Sequence, residues 1–269
     1  MYRGFTLLLR TGLLLLAALL SQQAGAGDTL QRVIDFQVLK VGMSGNQPPM
    51  TMTNREGSLM GLDVDLAKAL AAAMKVQLDI KTMPFGDLMD ALEKDEVDMV
   101  ISGVSITPER SEKVAFVGPY IMSGKSILTK DSTLAKISST QEFNREDVKL
   151  LALRNSTSAA FVRDAAPRAQ LIEVASYDQG VSQLKDDKAD AMIADMPMCI
   201  LSVMRYPEAD FTTLERPLTL EPIGIAMARD DLQFQNLVDN YLRAYEKTGV
   251  LNQLREKWFE DSSWIAALP

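Results

Sequence analysis

Apolar residues along this chain fall into short β-branched runs that alternate with longer stretches of helical spacing. Leu39-Lys40-Val41-Gly42-Met43 predicts a first strand. It breaks into Ser44-Gly45-Asn46-Gln47-Pro48-Pro49-Met50, where a glycine and two prolines disfavour helix. The Ala/Leu-rich segment from Gly61 to Met74 predicts a helix whose early aspartates, Asp63 and Asp65, suit the positive end of the dipole. Residues 76–80 alternate as a strand, and Pro84-Phe85-Gly86-Asp87 turns into a helix through Leu88 and Leu92. Residues 97–101 read as a buried strand ending at Ser102. Strand–helix–strand–helix–strand order predicts a parallel sheet with right-handed crossovers.

A second region begins at Ser126-Ile127-Leu128-Thr129. Residues 148–153 form a strand that feeds Arg154-Asn155-Ser156-Thr157-Ser158 and a helix from Ala159. A strand over 170–174, a helix over 177–184 and a strand over 191–194 follow, the last reaching Asp195. The chain turns again near 217–224. It finishes in an amphipathic helix with Leu237, Tyr241, Leu242 and Tyr245, a break at Gly249, and another helix to Trp258.

The N-terminus has its own pattern: Arg3 and Arg10, an apolar run over 13–20, then Ala24-Gly25-Ala26. A basic start, a short apolar stretch and an A-x-A site predict a secretory signal peptide, cleaved after Ala26. The run is shorter than the roughly 20 residues that span a bilayer comfortably; a retained anchor is the alternative. No cysteine follows it, so a bacterial lipid anchor at that point is unsupported. Residues 1–26 are set aside from the fold, and the periplasm is the expected location.

Losing Arg3 and Arg10 takes the formal net charge from −8 to −10. An acidic surface disfavours nucleic acid and anionic membranes as partners. The single cysteine, Cys199, lies in Met196-Pro197-Met198-Cys199-Ile200 and reads as buried packing, with no basic neighbour to activate it. There is no histidine. That removes the commonest general base, the commonest transition-metal ligand and every Ser-His or Cys-His dyad. Zinc spacings, a Walker loop and G-x-G-x-x-G are also missing. No cofactor, metal or catalytic residue is expected.

Candidate chemistry concentrates in Ser102-Gly103-Val104-Ser105-Ile106-Thr107-Pro108-Glu109-Arg110. Thr107 can cap a helix, and Pro108 suits its first position. Hydroxyls and free backbone groups thereby collect at the carboxyl end of a strand, where ligands bind in open α/β sheets. Arg110 is either a carboxylate clamp or an exposed residue of a short connecting helix. Ser156 and Thr157 either seat an anion at a helix start or simply cap it. The segment 92–103 is echoed at 184–195, which sets Asp195 at the strand end equivalent to Gly103. Hydroxyls and arginine on one unit, and a carboxylate on the other, suit a zwitterion held between them.

With these residues assembled, the chain resembles the periplasmic polar amino-acid-binding proteins, the family 3 extracellular solute-binding proteins of ABC importers. Four segments carry the likeness in order: Val41-Gly42 with Pro48-Pro49; Gly61-Leu62-Asp63-Val64-Asp65-Leu66-Ala67; 102–110 with Phe116 and Pro119-Tyr120; and Lys257-Trp258-Phe259. The resemblance implies an α/β, two-lobed periplasmic-binding-protein fold of type II, each lobe a mostly parallel sheet flanked by helices. Lobe 1 would comprise 28–121 and 223–269, and lobe 2 124–219, with hinge strands crossing near 121–123 and 220–222. It also implies that Arg110 binds the α-carboxylate of an amino acid, helped by the Thr157 N–H and hydroxyl. Ser105, the Gly103 carbonyl and Asp195 would receive the α-ammonium, while Ser102 and Phe85 touch the rest of the ligand. The implied partners are the amino acid and an ABC permease in the inner membrane, with the protein acting as a monomer.

The first loop departs from the family. Where an acid and an aromatic are often found, this chain has Ser44, Gln47 and Met50. Loss of the acid disfavours a cationic side chain on the ligand, and Phe85 is left as the evident ring. Gln47 and Met50 suit an uncharged side chain. Two other functions share the fold. Periplasmic cyclohexadienyl (arogenate/prephenate) dehydratases resemble these proteins, and Asp195, Lys125 or Glu221 could supply acid chemistry, although Pro222 stands where such an enzyme's acid is expected. The other is a sensor subunit that passes its liganded state to a receptor.

Overall fold

The computed structural model describes residues 28–137, 139–261 and 263–268. The signal peptide expected over 1–26 lies outside the described residues. Helix α1 (Asp28–Phe36) leads into β1 (Val38–Met43), and a small ribbon of β2 (Met52–Thr53) and β3 (Leu59–Met60) follows. Next come α2 (Leu62–Met74), β4 (Gln77–Thr82), α3 (Leu88–Glu93), β5 (Met99–Val100), α4 (Pro108–Ser111) and the long β6 (Ala115–Ser123). The chain then crosses into β7 (Lys125–Thr129), β8 (Lys149–Leu153), α5 (Thr157–Ala165), β9 (Gln170–Val174) and α6 (Tyr177–Lys185). β10 (Ala191–Asp195), α7 (Met196–Arg205) and β11 (Thr212–Thr213) complete that half. The chain returns through β12 (Glu221–Met227) and ends in α8 (Leu232–Thr248) and α9 (Val250–Arg255).

Two five-stranded sheets result among the described residues, ordered β4-β1-β5-β12-β6 and β11-β7-β10-β8-β9. Pairing is parallel along β4-β1-β5 and along β10-β8-β9, as strand–helix–strand order requires. It turns antiparallel where the connecting strands enter: β12 against β5 and β6, and β7 against β10 and β11. This is the two-lobed α/β architecture. β1 survives as an interior strand because Leu39, Val41 and Met43 are fully buried. α2 packs Leu62, Leu66 and Leu70 onto the first sheet and leaves Lys68 in water; each fully buried leucine contributes about 2 kcal/mol. One apolar cluster fills each lobe, and a third includes Phe85, Leu88 and Val104 of the first lobe with Leu153, Tyr177 and Met198 of the second.

Some boundaries differ from expectation. The strand predicted over 97–101 shrinks to Met99–Val100. Asp98 holds β1 from outside the ladder, its N–H donating to the Lys40 carbonyl and its carboxylate accepting the Lys40 N–H and pairing with Arg32. The helix predicted from Ala159 starts at Thr157, because Ser156 caps it. Between β6 and β7, a Cβ on Gly124 would sit 1.9 Å from the Thr219 carbonyl oxygen, so a side chain there would push the two crossings apart. No helix among the described residues is long and apolar enough to cross a membrane.

Candidate functional site

Beyond β5 the backbone turns at Gly103, whose φ is +59° and whose Cβ, if present, would lie 2.7 Å from Gln47 Nε2. The turn is anchored from behind. The Gly103 N–H donates to Asp63 Oδ2 at 2.7 Å, and the Tyr120 hydroxyl donates to Asp63 Oδ1 at 2.8 Å. Burial pushes the Asp63 carboxyl up to about 7, against the lowering effect of those two bonds. Asp63 stands in the first turn of α2 as expected and, in addition, anchors the turn at Gly103. Asp65 instead ties down the C-terminal segment, accepting from Lys257 at 2.7 Å and from Trp258 Nε1 at 3.0 Å.

Thr107 caps α4, with Oγ1 accepting the Arg110 N–H at 3.3 Å and Pro108 at the first position. The Arg110 side chain turns inward. Nη1 donates to the Ser105 carbonyl at 2.9 Å, and Nη2 donates across the cleft to the Asn155 carbonyl at 3.4 Å. The guanidinium carbon lies 5.7 Å from the Phe85 ring centroid, a cation–π distance. Desolvation lowers the Arg110 pKa, opposed by the charges of Glu221 and Asp195. Arg110 is thus part of the cleft and not a plain surface residue.

From the second lobe, Thr157 Oγ1 lies 3.3 Å from Ser105 Oγ and donates to Glu221 Oε2 at 3.0 Å. Ser156 is engaged locally: its Oγ accepts the Ala159 N–H and donates to the Leu153 carbonyl. Asp195 closes β10 without capping α7, and its Oδ1 accepts from Lys125 Nζ at 2.8 Å. Tyr177 is fully buried, and burial and the nearby Asp195 charge push its phenol well above the ordinary range.

Lys125 and Glu221 complete this cluster. The Lys125 side chain is only 1 % exposed, and its Nζ lies 3.0 Å from Glu221 Oε2 as well. The same Oε2 accepts from Ser105 Oγ at 2.7 Å, while Oε1 accepts from Thr219 at 3.1 Å. Burial alone would raise the Glu221 carboxyl. The Lys125 charge and the bonds from Ser105, Lys125 and Thr157 outweigh it and hold the group below the usual carboxylate range.

Of the residues predicted from sequence, Ser105, Arg110, Thr157 and Asp195 converge from both lobes. Gln47, Met50, Gly103 and Asp195 line an interlobe cavity of about 10 Å³ with Met198 and Ile223, room for one water. Phe85 does not line it and sits under the Arg110 guanidinium. Ser44 and Ser102 face each other within lobe 1: Ser44 N–H donates to Ser102 Oγ at 2.9 Å, and the two hydroxyls are 3.2 Å apart. A larger groove, about 520 Å³, adjoins this cavity through Pro49, Ser123 and Pro197 and runs among Met122, Ile200, Met204, Leu220 and Trp264. Sequence alone offers Lys125 and Glu221 for acid chemistry but not as ligand contacts. The available signal is a lysine inside the apolar run Gly124-Lys125-Ser126-Ile127-Leu128 and a glutamate in the segment Leu220-Glu221-Pro222. Among the described residues, no group of three or more His, Cys, Asp or Glu could hold a metal ion.

Residues 39–261 match the bacterial extracellular solute-binding proteins, family 3. The chain belongs to that family. As a family 3 protein it has relatives of two kinds. Cyclohexadienyl dehydratase of Pseudomonas aeruginosa is 28 % identical over 246 residues, 91 % of each chain. The ABC transporter glutamine-binding protein GlnH of Bacillus subtilis is 26 % identical over 238 residues, 87 % of this chain and 85 % of that one. Among solved structures, the ancestral amino acid-binding protein AncCDT-1, a precursor of cyclohexadienyl dehydratase, matches with a TM-score of 0.79. It is 31 % identical over 86 % of this chain and 99 % of that one.

Proposed function

We propose that this family 3 protein is exported to the periplasm, captures a small α-amino acid between its lobes and delivers it to an ABC permease in the inner membrane. The observation that carries this reading is the meeting of Arg110 and Ser105 with Thr157 and Asp195 across the cleft. In this reading Arg110 and Thr157 take the α-carboxylate. Asp195, Ser105 and the Gly103 carbonyl take the ammonium, and Phe85, Gln47 and Met50 flank the side chain. Ser44, Ser102 and Ser156 shape the walls. A zwitterion drawn out of water needs each charge paired, because an unpaired buried charge costs several kcal/mol. The lobes, 28–121 with 223–269 and 124–219, pivot near 121–123 and 220–222. A cavity of about 10 Å³ holds no amino acid, so the lobes part to admit one and close on it.

The second reading is a dehydratase-like enzyme, favoured by the 28 % identity to cyclohexadienyl dehydratase. A general acid near neutral pH must carry a proton. Glu221 is held ionised beside Lys125, Pro222 carries no acid, and Lys125 and Asp195 are tied to each other in a 2.8 Å ion pair. Binding without turnover is therefore the reading adopted. A thermal-shift screen of the mature protein against all amino acids, run beside incubation with prephenate and arogenate, tests it. We expect at least one amino acid to raise the melting temperature by mass action and no product to form. Product formation, or an amino-acid panel without a shift, overturns the reading.

A further inference from the structure

We infer that Lys125 and Glu221 set the net charge of the ligand this cleft accepts, keeping the seat electrically neutral so that it selects a zwitterion with an uncharged side chain. The inference rests on the amino-acid-binding reading above and adds two residues to it.

Four charge-bearing side chains meet where the lobes touch: Arg110, Lys125, Asp195 and Glu221. Their formal charges sum to zero. Lys125 is no surface residue, with 1 % of its side chain exposed and its ammonium 2.8 Å from Asp195 and 3.0 Å from Glu221. Glu221 in turn holds a hydroxyl from each lobe, Ser105 and Thr157. The pair thus repeats inside the protein the two halves of an amino-acid head: an ammonium on Asp195, and a carboxylate on the hydroxyls of Ser105 and Thr157.

An entering α-amino acid of zero net charge leaves this balance undisturbed, its carboxylate facing Arg110 and its ammonium sharing the two carboxylates with Lys125. Any extra charge on the ligand is different. The Lys125 side chain is 1 % exposed and those of Asp195 and Glu221 only 15 % and 16 %, so solvent and salt screen these charges weakly. An acidic or basic side chain would bring a desolvated charge without a partner. Other ionisable groups nearby do not offset it: Asp63 is spent on Gly103 and Tyr120, and Glu109 is exposed. Removing Lys125 would leave the cluster at −1, and neutralising Glu221 would leave it at +1.

Calorimetric titration of the mature protein with serine, glutamine, aspartate, glutamate, lysine and arginine tests this. The proteins compared are wild type, Lys125→Met, Glu221→Gln and the double variant, with folding checked by circular dichroism. Wild type should bind a neutral amino acid at least tenfold tighter than any charged one. Lys125→Met should shift preference towards lysine or arginine by tenfold or more relative to the neutral ligand, and Glu221→Gln towards aspartate or glutamate. The double variant, balanced again, should restore the wild-type order; it keeps the test decisive if a single variant does not fold. A charged amino acid that binds wild type as tightly as a neutral one overturns the inference. So does an unchanged ranking in the folded single variants, or an altered ranking in the double. If none of the six binds, the titrations are repeated with the remaining amino acids, and absence of binding by all of them overturns the amino-acid reading itself, and this inference with it.

Discussion

The hydroxyl oxygens of Ser105 and Thr157 lie 3.3 Å apart although they belong to different lobes, and both donate to the same oxygen of Glu221. The lobes therefore meet through the Glu221 carboxylate at the start of β12 as well as through direct contact. Arg110 adds a second bridge, from its guanidinium to the Asn155 carbonyl. Groups suited to a ligand are, in this closed arrangement, satisfied by one another, as buried polar groups must be.

Arg110→Ala should weaken amino-acid binding by more than tenfold, about 1.4 kcal/mol, because it removes the carboxylate's cationic partner from a desolvated cleft. Arg110→Lys should rescue only part of this, since a point charge does not reproduce the planar fork. Calorimetry measures both; a smaller loss in the alanine variant removes Arg110 from the proposed site.

Asp195→Asn should weaken amine-bearing ligands far more than the matching acids that lack an amino group. It also strips Lys125 of one of its two carboxylates. The melting temperature should fall with it, because breaking a buried ion pair destabilises by up to about 3–5 kcal/mol. Equal affinity for amino acids in the variant and wild type would place the ammonium elsewhere.

Asp63 makes stability depend on pH in an uncommon direction. Its carboxyl is raised from 3.8 to about 7 in the folded protein. The folded state therefore holds a proton that the unfolded chain has lost, and stability is fully present below pH 3.8 and falls as pH rises towards 7. The size is on the order of 4 kcal/mol. Glu221 acts oppositely and lower down: its carboxyl sits below 4.5 when folded, so its contribution is present above pH 4.5 and lost on acidification. Melting curves from pH 4 to 7 should show Asp63→Asn flattening the slope. The amide introduced by that substitution can still accept from the Gly103 N–H and donate to the Tyr120 hydroxyl, so the anchor is kept while the titration is removed. An identical slope in both proteins would discount Asp63.

Cys199 is buried, and burial pushes its thiol up to about 12. An aromatic disulfide reagent should leave the native protein unmodified for as long as it stays folded, and should titrate one thiol in denaturant. Rapid reaction without denaturant would contradict the packing described.

Local pattern foretells much of this arrangement. β9 spans 170–174 as its run predicts, and Thr107 with Pro108 starts α4 as their chemistry requires. Arg110 is ambiguous on its own, because nothing local says that its side chain folds back onto Ser105. Lys125 and Glu221 are harder still. Their partnership depends on β6 and β12 lying side by side, with Glu221 opposite Ser123, a pairing between segments far apart in sequence. Asp63 has the position of a helix-dipole residue, and only the approach of Gly103 and Tyr120 turns it into an anchor. Asp98 shortens its strand for the same kind of reason: its partners, Lys40 and Arg32, come from elsewhere in the chain.

The most direct test is calorimetric titration of the mature protein with net-neutral α-amino acids, followed by assay of the mixture and of a parallel incubation with prephenate and arogenate. We expect saturable one-to-one binding of at least one amino acid, lost in Arg110→Ala, with every small molecule recovered unchanged. No saturable binding, or conversion of prephenate or arogenate to product, would contradict it.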